Sequence, residues 1–533
     1  PLGWKFLSGG AGVGKTMTIN LLYLYIVKTL KTKAGIDKDQ LFVLKVAPSG
    51  TAAYLLKDNT IHSALRILPS RKLSYAPLSS DAKGTFRKEM IGVNFIIIDE
   101  VSMVGCTMLN MIHKRLQEVK GSSKLFGGIQ PIFVGDMFQL RPVKDSGWIF
   151  ETEKSNYGPL AINLWVNNIR MFELTEIMRQ GDDKQFAELL NRVREGNQTI
   201  DDETIFESRF IKPNEDIDPY LPHLFTVNKS VAKHDKVCYD KMNTEKRKIV
   251  AFDDIKGGDM NDELREKLLS KISPDPRNTS RMIKELELAI DLSYKIVLNL
   301  NVQDGLTNGA LCTLQKFQLE DPSKPKGFLW VKFSDEEIGQ NLRKKYDKKH
   351  SKTHEISCGW TPIYPETREF SHNKGNKKII MVSRTQFPLE PATASTVHKS
   401  QGLTLKSDIV VDFSFWTQAH MLYVALSRVD KLSKLHIKKF DLKRIRVDDR
   451  VKLEMKRLRE LGYPFCLKFL HNTPGILKIS FINTQSMNRH LEDVRHDKTL
   501  LSSDVIVCLE TWWIETDPIE TTFIIGYKTY RFD

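Results

Sequence analysis

Short apolar runs alternate with amphipathic stretches from residue 1 to about 180. The runs LFVLKVAPSG (41–50), VNFIIIDEVS (93–102) and IQPIFVGDMF (129–138) are each nearly continuous in apolar residues, and each ends in a polar loop. Strands of that kind are buried on both faces, which predicts an α/β class fold with a parallel sheet covered on both sides. After the short run Phe6–Leu7, the positions Ile19, Leu22, Tyr23 and Ile26 recur at helical spacing. Residues 181–300 read as mostly helical and charged. From 302 to 392 the texture changes to short strands, glycines and the basic run RKKYDKKHSK, which predicts a small inserted β-barrel-like domain. Strand and loop patterning returns in TASTVHKSQGLTL (393–405) and MLYVALSRV (421–429), so 181–301 and 393–440 are expected to form a second α/β unit after a first one at 1–180. Residues 441–475 read as a basic, partly helical linker, and a last unit begins near 476 with LKISFINTQS.

A chain of 533 residues has room for several domains with their own cores. The net charge of +14 favours a polyanionic partner. The six cysteines are scattered without any C-x-x-C spacing, which argues against a zinc ribbon or a disulfide framework and for a reducing compartment. No apolar run approaches about 18 residues, so a membrane partner is not expected.

The densest chemistry lies in GWKFLSGGAGVGKTMTIN (3–20). Gly9, Gly10, Ala11, Gly12, Val13, Gly14, Lys15 and Thr16 fit the spacing G-x-x-x-x-G-K-[ST], placed between an apolar run and a helical pattern as that motif requires. Glycines let successive backbone N–H groups face one anion, and the helix start adds its positive dipole end. Lys15 reaches terminal phosphates and Thr16 can hold Mg²⁺. The expected ligands are therefore ATP and Mg²⁺.

Asp99 and Glu100 end a buried run, where one carboxylate can orient Mg²⁺ and the other the attacking water. Gln139 follows another buried run and can sense a γ-phosphate or position water, although Gly135 and Asp136 alone would also explain a turn there. Arg179 in LTEIMRQ and Arg428 in VALSRV are candidate γ-phosphate contacts; either one by itself reads more readily as an ordinary surface charge, and their order and context favour the contact.

Taken in order, GGAGVGKT, APSGTAA, TIHSAL, IIDEVSM, LFGGIQPIFVGDMFQL, LTEIMRQ, NGA, TVHKSQGLTL and YVALSRV resemble the petite integration frequency (Pif) DNA helicases, superfamily 1B relatives of the RecD helicases. The resemblance covers roughly residues 3 to 435. It implies two RecA-like P-loop NTPase domains flanking an inserted β-domain, and an ATP-driven 5′-to-3′ motor on single-stranded and forked DNA, monomeric in action. By position it implies that Glu100, Gln139, Arg179 and Arg428 serve hydrolysis, with Thr16 and Asp99 on the metal. Pro48, Ser49, Gly50, Thr51, His62, Thr396, His398 and Lys399 become strand contacts. Loops rich in Gly, Ser and Thr suit a phosphate chain, because they donate hydrogen bonds without reading bases. Two departures stand out: the adenine-contacting segment that the family carries upstream of the cradle is expected to be missing, and Arg141 stands where proline is usual.

The tail, LKISFINTQSMNRHLEDVRHDKTLLSSDVIVCLETWW, resembles the opening of the endonuclease/exonuclease/phosphatase family, the start of an α/β sandwich. That resemblance implies Asn483 and Glu510 as divalent-metal ligands; a hard cation prefers such oxygen donors on rigid strand ends. The later Asp-Asn and Asp-His elements are not in the sequence, so an incomplete, inactive nuclease segment is expected. Two ordinary strands around an amphipathic helix remain the alternative. The pairing of helicase and nuclease resembles Helitron-type, and particularly Helentron, rolling-circle transposon proteins, which implies a nuclear location; a host genome-maintenance helicase is the rival. A decayed, binding-only transposon remnant, and a P-loop ATPase acting on RNA or protein, are the readings from other classes.

Overall fold

The computed structural model describes residues 4–32, 40–68, 74–142, 145, 147–152, 163–175, 183–256, 261–350, 359–373, 379–415, 417–438, 442–461, 479–483, 494 and 505–509. The chain divides into two compact units, one of residues 1–208, 417–432 and 441–533, the other of 209–416 and 433–440.

The first unit is built on a six-stranded sheet: β1 (Trp4–Gly9), β2 (Val43–Ala47), β3 (Asn59–Thr60), β4 (Phe95–Ile98), β5 (Gln130–Gly135) and β6 (Ile169–Leu174), in the order β3-β2-β4-β5-β1-β6. Every pairing in it is parallel. Side chains alternate between two cores because successive residues of a strand face opposite ways. Ile96 and Ile98 join Phe6, Val46 and Phe133 on one face, while Phe95 and Ile97 join Leu7, Val43, Ile132 and Val134 on the other. Burial on both faces is why these strands read as nearly continuous apolar runs, and the expected α/β class is borne out.

Helix Lys15–Lys31 buries Ile19, Leu22 and Ile26 of the stripe that the spacing predicts, together with Thr18 and Leu30, and Tyr23 is half-buried at its margin. Helix Asp449–Glu460 falls within the stretch expected as a linker. It is instead a packed element of this unit: Val451, Met455 and Leu458 enter the core, and Glu454 accepts the indole N–H of Trp165 at 2.7 Å. Its basic residues sit on the opposite face, so composition hid an amphipathic helix. In the tail, Ile479–Asn483 and Val505–Leu509 pair in parallel, and Val507 packs against the sheet's second core.

The second unit contains a four-stranded parallel sheet in the order Ala394–Thr396, His223–Phe225, Ile409–Asp412, Leu435–Lys438. Its other sheets are antiparallel. Five strands run in the order Trp360–Ile363, Gly327–Phe333, Leu311–Leu319, Ser293–Ile296, Leu389–Pro391, and three run Glu366–Asn373, Ile379–Gln386, Phe252–Lys256. The helical texture expected up to residue 300 gives way earlier, since Lys246–Val250, Phe252–Lys256, Glu285–Ala289 and Ser293–Ile296 are strands. Much of KRKIV and of the strand after it is half-buried or exposed, so neither carries the apolar run that marks a strand in the first unit. Among the described residues no helix is long and apolar enough to cross a membrane.

Candidate active site

Because all six strands of the first unit are parallel, their carboxyl ends share one edge of the sheet, where ligands bind in open α/β sheets. Phosphate cradle, carboxylates and glutamine all emerge from that edge. The cradle follows β1, Pro48–Gly50 follow β2, Asp99 and Glu100 follow β4, and Asp136–Gln139 follow β5. Ser8 is level with Gly135, and Ile98 with Phe133, so the three loops start at neighbouring heights.

The cradle turns into its helix at Gly14, whose φ of 82° is left-handed and open to glycine at no steric cost. Gly135 serves a different need, a close approach: a Cβ there would sit 2.7 Å from the Val101 amide nitrogen. Lys15 folds back and donates from Nζ to the carbonyls of Gly9 (2.9 Å) and Gly10 (2.7 Å). Burial lowers its ammonium from the usual range, against the pull of Asp136, Glu100 and Asp99.

Asp99 and Glu100 are both buried. Desolvation first, and the negative charge of Glu100 second, push the Asp99 carboxyl up to about 7. Its Oδ1 accepts the Glu100 amide at 2.8 Å, and Glu100 is held left-handed at φ 49°, a conformation that costs a non-glycine residue roughly 1–3 kcal/mol. Asp99 and Glu100 after β4, and Thr16 in the first turn of helix Lys15–Lys31, offer hard oxygen donors at the same sheet edge. That set fits Mg²⁺, which is commonly bound by one or two carboxylates together with substrate phosphates. Gln139 is 3% exposed and its Oε1 has no hydrogen-bond partner, a buried polar atom awaiting one.

Beneath the cradle lies a buried polar network that the sequence reading missed. Asp136, fully buried, accepts the Arg194 Nε–H, shared between its two oxygens (3.0 and 3.2 Å), and the Phe138 amide (3.1 Å). Burial would raise its carboxyl, but the Arg194 charge and hydrogen bonds hold it below the usual carboxylate range. The Tyr423 hydroxyl donates to Asp136 Oδ2 (3.2 Å) and accepts the Ala11 amide of the cradle (2.8 Å). One signal for Arg194 existed: it falls on the apolar stripe of helix Lys184–Glu195, beside Phe186, Leu190 and Val193. Tyr423 left none, because all six residues of helix Met421–Leu426 are buried.

Arg428, expected as a phosphate contact, is 1% exposed, and its Nε donates to the Val424 carbonyl at 2.6 Å. Arg179 and Glu510 lie outside the described residues; Asn483 ends its strand, level with Leu509. Ser49 Oγ accepts the Ala52 amide, and His62 Nδ1 lies 3.1 Å from the Ile67 carbonyl oxygen. In the second unit Thr396 ends a parallel strand and is buried, His398 follows it, and the exposed Lys399 donates to Glu390 at 3.0 Å. Among the described residues no three His, Cys, Asp or Glu side chains form a metal cluster.

The sheet order, with the glycine-rich cradle after β1 and the carboxylate pair at the end of β4, defines a RecA-like α/β fold. Residues 3–204 match the family described as PIF1-like helicase. The chain is similar to the ATP-dependent DNA helicase PIF1 of Saccharomyces cerevisiae, 27% identical over 538 residues, covering 84% of this chain and 59% of that protein. Its fold is similar to the crystal structure of Pif1 helicase from Candida albicans (TM-score 0.60, 22% identity, 86% of this chain and 96% of that one). It is also similar in fold to Pif1 from Bacteroides in complex with ADP-AlF3 and single-stranded DNA (TM-score 0.59, 24% identity, 86% and 94%).

Proposed function

We propose that this chain is an ATP-dependent DNA helicase that travels 5′-to-3′ on single-stranded DNA and opens forked duplex. The observation that carries the reading is the shared sheet edge where the Lys15 cradle, the Asp99–Glu100 pair and Gln139, with its unpartnered side-chain oxygen, emerge. In this reading Lys15 and the amides of Gly12–Thr16 hold the phosphates, and Thr16 with Asp99 holds Mg²⁺. Bound there, the cation would neutralise phosphate charge. Glu100 and Gln139 orient the attacking water, and Arg179 and Arg428 contact the γ-phosphate; for Arg428 that requires its side chain to leave the Val424 carbonyl. Pro48–Thr51, His62, Thr396, His398 and Lys399 grip the strand, and the basic surplus adds a salt-sensitive attraction. The similarity of the Bacteroides complex, whose ligands are ADP-AlF3 and single-stranded DNA, supports both halves of this assignment. We further assign the motor to rolling-circle transposition in a nucleus, acting as a monomer, on the strength of the nuclease-like pattern ending in Asn483 and Glu510.

Steady-state ATP hydrolysis by the full chain, with single-stranded DNA, RNA or no nucleic acid, tests the reading. Stimulation by DNA, and unwinding of forks with a 5′ but not a 3′ loading strand, is the expected result. Tight DNA binding without hydrolysis would leave a binding-only remnant and overturn the motor.

A further inference from the structure

We propose that Tyr423 is a positioning residue of the nucleotide site: its hydroxyl holds the Ala11 amide away from the phosphates and ties the cradle to the Asp136–Gln139 loop. This rests on the ATPase reading above.

The polarity of the link is forced. Asp136 is kept ionised by Arg194, so its oxygens only accept. The Tyr423 hydroxyl must therefore spend its one proton on Asp136, which leaves its lone pairs facing Ala11 N–H. That amide is committed to the tyrosine and lost to the anion, so the cradle's phosphate-binding amides begin at Gly12. The contact is close as well as polar: a Cβ on Gly10 would lie 3.3 Å from the Tyr423 oxygen and 3.5 Å from Arg194 Cδ. Arg194 also covers the Phe138 ring at 4.7 Å, next to Gln139. The cradle, the glutamine loop and the segment that carries Arg428 are thereby joined through one hydroxyl. A buried carboxylate and a buried amide would both lose a partner without it, which is costly in a low-dielectric site.

The test is Tyr423→Phe in the full chain, with mant-ADP binding, ATPase kinetics and DNA affinity measured in parallel. The expected result is about tenfold weaker mant-ADP binding and a matching rise in KM for ATP, with nucleotide-free DNA affinity within about twofold of the unmodified chain. Nucleotide affinity within twofold overturns the proposal, and so does an equal loss of DNA affinity, which marks general damage. A readout without any substitution is hydrogen exchange: the Ala11 amide should be protected before nucleotide is added, and rapid exchange there overturns the proposal. An unmodified chain that neither binds mant-ADP nor hydrolyses ATP removes the ATPase reading itself, and this inference with it.

Discussion

The Lys15 ammonium donates to the Gly10 carbonyl at 2.7 Å, closing the cradle on its own lysine. A phosphate entering the cradle competes with that carbonyl for the ammonium, and the buried position makes the exchange electrostatically strong. Lys15→Ala should lower DNA-stimulated ATP hydrolysis by about 10²-fold or more, because it removes a preorganised positive charge. DNA affinity without nucleotide should stay within about twofold, as read by fluorescence anisotropy.

Arg194→Met should destabilise the chain by about 3–5 kcal/mol. The methionine approximates the lost stem but leaves Asp136 buried without its counter-ion. A urea titration monitored by circular dichroism gives the midpoint shift, and an unchanged midpoint would contradict the ion pair.

Met455→Ala should cost roughly 2–5 kcal/mol. Met455 is fully buried in the first unit's core, with Val451 and Leu458 one turn away on either side. Were the segment a solvated linker, the same change would alter the unfolding midpoint by almost nothing. Replacing the exposed Lys456 by alanine is the surface control.

His420 and His223 are both pushed down to about 4, in each case mainly by burial. An unfolded histidine titrates near pH 6.5, so between about 6.5 and 4 the unfolded chain takes up protons that the native chain refuses. Their share of stability is complete above that window and is lost as the pH falls through it. Asp99, raised to about 7, acts in the opposite sense, losing stability as the pH rises from about 4 towards 7. Comparison with a variant separates them. His420→Gln, whose amide oxygen can still accept the Asp448 amide, should flatten the loss of stability between pH 6.5 and 4. Thermal melts of both chains across that range make the measurement.

Local patterns determined a good deal of this protein. The runs at β2, β4 and β5 announced a doubly covered parallel sheet, since strands buried on both faces stay apolar at nearly every position, Lys45 being the exception inside β2. The cradle was legible because its chemistry needs glycines and a lysine at fixed spacing along one loop, and Asp99 and Glu100 because they interrupt an apolar run at its end. Tertiary structure alone decided the rest. Tyr423 stands 412 residues from Ala11, and no periodicity connects an amide with a hydroxyl so distant in the chain. Helix Asp449–Glu460 shows the same limit, because its charged face dominates its composition while its value to the fold lies in three buried side chains and one glutamate that meets Trp165. Periodicity reports which face of an element is buried; what that face touches depends on where the chain returns.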